Sequence, residues 1–509
     1  MSVRALLGQK IPRLLAAVDL GSNSFHLVVA RYDEGTLTII DRLREPVRLA
    51  AGFDDARNLT EAARSKALDC LNRFGQRLRE LPSRTVRAVG TNALRAAHNS
   101  AQFLNEAETA LGHPIEIISG IEEARIIYLG VAHTLADDNV RRLVVDIGGG
   151  STEFIIGERF NQLYRESLYM GSVSMSERYF PEGVISRKRW NRAELEAAVE
   201  LEPVVVPFEN LGWQVAVGAA GTARAIRDVL VQNGWSEEGI TADGLRQLSD
   251  VMLSRVNVNK LELAGLSSER APILPGGVAI LSAIFNALRI RHMDVSEGAM
   301  REGLLYDLVG RLHDDDVRGG SVMRLAARYH VDEAHAKRVE ETALACLDKI
   351  KGDWDLDDDV CARMLGWSAR LHEIGLDISH SQYHKHGAYI VENADIAGFS
   401  RMEQKILAAL VRAHRRKFPR MAFDQLPKRW QQRAHRLAIL LRLAVLLNRG
   451  RSKSLPGFVI AAHDKAITLG FPEGWEQHPL TRADLEQEQL YLEAAGYRLI
   501  LGGAVSNEP

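Results

Sequence analysis

Cysteine is scarce in this chain of 509 residues: Cys70, Cys346 and Cys361 lie far apart, with no CxxC pair. That excludes a disulfide framework and suits a reducing compartment. Long apolar runs are missing too. None approaches the ~18 residues of a membrane span. The longest near the start, LLAAV, is too short for a secretory signal and is stopped by Asp19. The expectation is a cytoplasmic protein without a transmembrane segment, with peripheral membrane attachment left open. Charge of one sign is not in excess, since 64 Lys and Arg face 66 Asp and Glu for a net charge of −2. No global field therefore recruits nucleic acid or membrane. No Gly-Lys pair occurs anywhere, which argues against a P-loop NTPase.

What the chain does have is an unusual turn, twice. LLAAVDLGSNSFHLVVAR and RLVVDIGGGSTEFIIG both run apolar strand, Asp, small polar turn, apolar strand. Asp19 aligns with Asp146, Gly21 with Gly148 and Ser24 with Ser151. Glycine-serine turns expose backbone N–H groups and let an anion approach closely. Gly21, Ser22, Asn23 and Ser24, and Gly148, Gly149, Gly150 and Ser151, are thus candidate phosphate ligands. An Asp at each strand end would repel a bare phosphate, but it suits a hydrated Mg²⁺ lying between. A single copy is most simply a glycine hairpin whose Asp satisfies its own turn amides. Two aligned copies favour two related lobes facing each other.

Further turns point the same way more weakly. VAVGAAGTARAI places Gly221 and Thr222 at a strand-to-helix junction, where a helix N-terminus can receive an anion. AVGTNALRAA places Arg95 after a strand, able to fork onto phosphate oxygens, although a surface arginine is the commoner case. In ISGIEEAR, Ser119 and Glu122 have capping-box spacing. Glu123 lies about 100° further round the helix and would face the cleft, placed to take a proton from an attacking water.

Residues 11–126 read as mixed α/β, and 127–311 repeat the theme. LHDDDVRGG (312–320) reads as a linker. Helical patterns dominate 320–454, and short strand-like runs in 455–509 suggest a small antiparallel sheet around one helix. Length alone suggests about three or four domains.

Taken together, AVDLGSNSFHLVVAR, GTNALR, ISGIEEAR, VVDIGGGSTEF, GAAGT and EGLLYDL resemble the bacterial exopolyphosphatase / guanosine pentaphosphate phosphohydrolase family, from residue 16 to about 310. The resemblance implies an α/β fold of two ribonuclease H-like lobes of the actin-like ATPase superfamily, spanning 1–126 and 127–311. An all-α HD-like domain and a small C-terminal α+β domain would follow. It implies Glu123 as catalytic base, with Arg95, Asp146, Ser151 and Glu153 lining the site. Mg²⁺ would be held by Asp146 and Glu153 with Asp19, and a monovalent cation such as K⁺ is compatible. The expected reaction is hydrolysis of terminal phosphate from inorganic polyphosphate by a homodimer. Guanosine pentaphosphate (pppGpp) is the alternative substrate. Glycine at 150, where the pentaphosphatase branch often has alanine, tips the reading toward polyphosphate. An ATP-dependent kinase or a non-catalytic phosphate sensor fits less well: no adenosine pocket is legible, and Glu123 is intact.

The helical region resembles HD phosphohydrolases through His335, His372, Glu373, His384, His386 and His414. Glu373 replaces the expected Asp, and Asn448 stands where the last Asp belongs. Lost carboxylates weaken a site for hard cations, so a scaffold is expected rather than a second active site. From Arg412 to Lys453 there are 13 lysines and arginines and one acid, Asp424. Few aromatics interleave, so nucleic acid is a poor match. A polyphosphate track through Arg412, Arg415, Arg416 and Lys417 is expected.

Overall fold

The computed structural model describes residues 14–33, 36–135, 139–312, 316–451, 457–472 and 478–502. The chain divides into two compact units, Met1–Asp316 and Val317–Pro509.

The first unit begins with a meander of β1 (Leu14–Leu20), β2 (Phe25–Asp33) and β3 (Thr36–Glu45). Then come α1 (Glu61–Leu78), β4 (Val86–Gly90), α2 (Asn92–Ala96), α3 (Ser100–Leu111), β5 (Ile115–Ile117) and α4 (Gly120–Ala132). A second meander follows, of β6 (Arg141–Ile147), β7 (Thr152–Glu158) and β8 (Asn161–Leu168). It continues through α5 (Ser172–Tyr179), α6 (Arg187–Leu211), β9 (Val215–Ala219), α7 (Ala220–Gln232), β10 (Ile240–Thr241) and α8 (Ala242–Arg255). The unit ends with α9 (Leu274–Ala287), β11 (His292–Val295) and α10 (Met300–Leu312).

The sheets have strand orders β3-β2-β1-β4-β5 and β10-β11-β9-β6-β7-β8. Each has an antiparallel meander whose first strand pairs parallel with the next βα strand. The repeated turn therefore marks a repeated topology, with β10 added at one edge. Central β1 is apolar at nearly every position because both its faces are covered, whereas edge strand β3 alternates.

The two halves exchange helices. α4 follows the first sheet in sequence yet packs on β7 and β8, while α10 follows the second sheet and packs on β1 and β4. Both helices contribute to one core with residues from both sheets, among them Ala17, Val28, Val144, Ile155, Ile127 and Leu304. Gly130 and Gly303 permit the crossing. A methyl at 303 would overlap the Ile126 carbonyl oxygen, and one at 130 the Ala299 oxygen. α4 runs through residue 126, where the sequence suggests a lobe boundary. Its capping box is only half made. Ser119 Oγ accepts from the Glu122 N–H at 3.1 Å, but the Glu122 carboxylate turns to Arg125 instead.

The second unit holds α11 (Val317–Arg328), α12 (Glu333–Ile350), α13 (Asp359–Leu371), α14 (Tyr383–Asn393), α15 (Arg401–Ala413), α16 (Arg420–Asp424) and α17 (Lys428–Leu447). β12 (Val459–His463), β13 (Ala466–Gly470), α18 (Pro479–Ala494) and β14 (Arg498–Gly502) complete it. Two expectations are corrected. Residues 317–320 open α11 rather than continue a linker. The small sheet is mixed, not antiparallel: β12 and β13 form a hairpin, but β14 pairs parallel to β13. α18 between them is the crossover that a parallel pair needs. Ile467, Leu469, Leu485 and Leu499 join the same core as the helices.

Candidate active site

Asp19 and Asp146 occupy equivalent places, each near the end of the first strand of its meander. The turns that follow them touch. A methyl on Gly149 would lie 3.0 Å from Ser22 Cβ and 3.7 Å from the Asn23 nitrogen. Carbonyl groups of both turns are bound from outside. Arg48 N–H donates to Asn23 O at 2.7 Å, Ala50 N–H to Ser22 O at 3.0 Å, and Val173 N–H to Gly149 O at 3.0 Å. The Gly149 and Gly150 N–H groups keep no acceptor among the described residues, so they are available to an anion.

Four carboxylates share the crevice. Burial, then the charge of Glu123, pushes both Asp19 and Asp146 up to about 7. Burial also raises Glu153 well above the usual range, with Glu123 and Asp146 adding to it. Glu123 is raised by burial and partly restored by Arg95. Asp19, Asp146 and Glu153 thus each feel a neighbouring carboxylate. Glu153 sits opposite Asp146 across the β6–β7 ladder, and its Oε1 accepts from Ser167 Oγ at 2.8 Å.

Arg95 is engaged within the protein. Its Nη1 donates to Glu123 Oε2 at 2.9 Å and to the Ile118 carbonyl at 2.8 Å. These bonds fix the Glu123 carboxylate and leave Nη2 as a further donor. The Thr222 hydroxyl is also committed, donating to Ile147 O at 2.8 Å, so what Thr222 offers an anion is its backbone N–H in the first turn of α7. Gly221 makes room for the Arg270 guanidinium, which a methyl there would strike. Gly150 is likewise set by a neighbour, since a methyl would collide with the Asn92 side chain. Glycine against alanine at 150 therefore reports packing on Asn92 and says little about substrate.

Sequence reading missed a basic group beside the acids. His26 lies opposite Asp19, as Glu153 lies opposite Asp146. Extending the alignment of the two turns by seven residues would have found it. Arg301 Nη1 is 3.3 Å from His26 Nδ1. Burial, then Arg301, Arg44, Arg270 and Arg224, lowers His26 to about 3, so the ring is neutral. Arg44 is shared between Glu269 and Ser24 Oγ. Arg270 and Arg301 form no ion pair with a carboxylate among the described residues. Acids able to hold a cation thus stand next to guanidiniums able to hold phosphate oxygens.

A family model described as the Ppx/GppA phosphatase family matches residues 28–312, and its domain III model matches 317–489. The chain belongs to the Ppx/GppA phosphatase family. Guanosine-5'-triphosphate,3'-diphosphate pyrophosphatase of Aeromonas hydrophila is 40% identical over 93% of this chain and 96% of its own length. The protein of that name from Vibrio cholerae is 38% identical over 93% and 95%. Among solved structures, an exopolyphosphatase from Cytophaga hutchinsonii aligns with TM-score 0.54 at 23% identity, over 58% of this chain and 98% of that one. A Ppx/GppA member from Aquifex aeolicus aligns with TM-score 0.50 at 24% identity, over 59% and 98%. The fold is the actin-like ATPase type, and members of the family are hydrolases of phosphoanhydride bonds.

Part of the basic tract of the Ppx/GppA domain III is neutralised from within. Arg433 pairs with Asp358 at 2.8 Å, Arg451 with Asp332 at 2.8 Å, and Arg449 with Asp484. Buried Arg442 grips Glu488, and Arg436 donates to Trp354 O at 2.7 Å. A count along the chain misses acids supplied by α13 and α18. Arg416, Lys417, Arg420 and Lys428 remain exposed, with Arg412 and Arg415 half-buried. Lys453 lies outside the described residues.

Proposed function

We propose that the chain removes the terminal phosphate of pppGpp, with inorganic polyphosphate as a second substrate of the same centre. The observation that carries the hydrolytic reading is Glu123, held by Arg95 in a crevice common to Asp19 and Asp146. Its carboxylate takes a proton from a water aligned with the terminal phosphorus. The N–H groups of Gly149 and Gly150 receive charge on the transferred phosphoryl oxygens, and Arg270 and Arg301 receive charge on the departing chain, where such reactions gain most of their rate. The carboxylate set is all oxygen, with Asp146 and Glu153 buried and Asp19 and Glu123 partly so, which fits Mg²⁺. Asp19, Asp146 and Glu153 would hold it, and it would neutralise phosphate charge.

Two observations favour the nucleotide. The relatives at 38–40% identity carry the pentaphosphatase name. A cleft of about 500 Å³ also opens beside Asn23 of the first turn, walled by Val173, Phe180 and Pro181 and edged by Arg48 and by Glu177, Glu182 and Glu269, acids that would face the base and sugar rather than the phosphates. Apolar walls with a few polar groups suit a nucleoside. For polyphosphate the support is the exposed remnant of the basic tract. The test is phosphate release from pppGpp and from long polyphosphate by wild type, Glu123→Gln and Arg48→Gln. Glu123→Gln abolishes both reactions. Arg48→Gln raises KM for pppGpp alone. Equal effects of Arg48→Gln on both substrates would remove the cleft from the reading, and full activity of Glu123→Gln would overturn the mechanism.

A further inference from the structure

The helical unit contains a second cluster of metal-ligating side chains. His335 of α12, and His372 and Glu373 at the end of α13, each place one ligand atom within 4.8 Å of the other two. Ring centroids lie 5.5 Å apart for His335 and His372, and 5.4 Å for His372 and His414. His384 of α14 is next to His414, at 6.2 Å. His335 is 3% exposed, His372 0% and His414 2%.

These rings are not ordinary satisfied core histidines. His335 Nδ1, His372 Nε2, His384 Nδ1 and His414 Nε2 are all buried without a hydrogen-bond partner among the described residues. Leaving such a group unpaired costs about 1–3 kcal/mol. In two rings the tautomer follows from the backbone. His372 Nδ1–H donates to Ala369 O at 2.7 Å, and His414 Nδ1–H to Val411 O at 2.6 Å. Each Nε2 is then a bare lone pair. A carbonyl on the far nitrogen is the usual outer support of a metal-bound histidine. Bare lone pairs cannot donate to an anion, so the arginines nearby do not make this a phosphate site.

We propose that His335, His372 and Glu373 form a transition-metal site, for Zn²⁺ or a similar ion, that ties α12 to the end of α13, with the His414 ring at the end of α15 packed edge-on against His372. Imidazole-rich ligation selects such ions over Mg²⁺. The site is structural. Its one carboxylate is already shared with Arg451, whose Nη2 donates to Glu373 Oε1 at 2.7 Å, so no free acid remains to activate a bound water. Arg451 also tempers the affinity by competing for that oxygen.

The full chain carrying Asp19→Asn and Asp146→Asn, which disables the other divalent site, stripped with chelator and dialysed against Zn²⁺ or Co²⁺, should retain a single ion per chain by elemental analysis. The Co²⁺ form should absorb in the visible and lose that absorption to Zn²⁺. His335→Gln with His372→Gln should abolish both signals, and should abolish any rise in melting temperature on Zn²⁺ addition at this site. Arg451→Gln, which frees Glu373, should tighten Co²⁺ binding about tenfold, and it keeps the test decisive if the double variant does not fold. Failure to retain either metal would overturn the proposal. So would metal retention indifferent to both substitutions, or stabilisation by inorganic phosphate without any by metal.

Discussion

Glu122 and Glu123 are neighbours on one helix, and their surroundings could hardly differ more. The Glu122 carboxylate is bidentate on Arg125, with both bonds at 2.8 Å. Arg125 and Arg87 both reach Asp307, and Arg311 adds a bond of 2.9 Å to it. Glu116 receives Arg87 at 3.3 Å and Arg311 at 3.4 Å. Three carboxylates thus meet three guanidiniums. Burial acts to raise Asp307, but Arg125, Arg87 and Arg311 outweigh it and hold the carboxyl well below its ordinary range. One residue along, Glu123 joins three more buried acids with Arg95 as its one ion-pair partner among the described residues. The first cluster is satisfied and holds α4 against α10 and β4. In the second, burial and mutual repulsion outweigh the nearby guanidiniums, and the acids stay raised.

Substitutions can break this contrast directly. Glu123→Gln should lower kcat by about 10²–10⁴-fold in a phosphate-release assay, with the urea midpoint unchanged or raised. Glu122→Gln should do the reverse. It leaves Arg125 short of a buried partner and should cost about 3–5 kcal/mol in urea unfolding, with kcat falling only as far as α4 shifts. If both variants lost activity and kept stability, the division between a catalytic and a structural acid would be wrong.

The pH dependence of stability sharpens the same contrast. Asp19 and Asp146 are raised from 3.8 to about 7, so without divalent ion the folded chain binds more protons than the unfolded one between those values. Stability should therefore fall as pH rises from about 4 to about 7, by up to ~1.4 kcal/mol per pH unit for each group. Asp307, depressed, contributes stability that is present above about 4 and is lost as pH falls further. Urea midpoints from pH 4 to 8 should show the first slope in wild type, and a flatter one in Asp19→Asn/Asp146→Asn or with added Mg²⁺. An unchanged slope in that variant would mean the strand-end acids are not strained.

Arg95→Gln should have a smaller effect. It removes the cation that favours ionised Glu123, so the acidic limb of the kcat/KM profile should move to higher pH, with about 10–100-fold lower kcat. The smallest effect belongs to Arg416→Ala with Lys417→Ala. These exposed side chains should weaken long-polyphosphate binding a few-fold at low salt and not at high salt, leaving pppGpp turnover alone.

Legibility in the sequence followed locality. The paired turns were readable because Asp19, Gly21 and Ser24 repeat as Asp146, Gly148 and Ser151 within a short span, and Glu123 because a helix start fixes its direction. Arg44, Arg224, Arg270 and Arg301 were not readable. Each comes from a different element, and only the assembled fold brings them to His26. Arg95 and Thr222 were found, but their bonding was not, since Ile118 O just past β5 and Ile147 O at the end of β6 are distant from them along the chain. The later part of the tract carries less free charge than its composition suggests for a related reason: the counter-charges of Arg433, Arg442 and Arg449, namely Asp358, Glu488 and Asp484, are distant in sequence, whereas Arg412, Arg415, Arg416 and Lys417 pair with none of them.

The exchange of α4 and α10 between the halves has a consequence for how the molecule comes into being. Neither half can seal its interior alone, because each lends the other a covering helix. A fragment ending after α4 would display Ile127 and Val131 to water with no second sheet to receive them, and would aggregate. Synthesis must therefore reach α10, some 180 residues later, before the first sheet is closed. Formation of the native state should be slow and all-or-none, dominated by loop closures of long range, and circular permutation should be tolerated better than division.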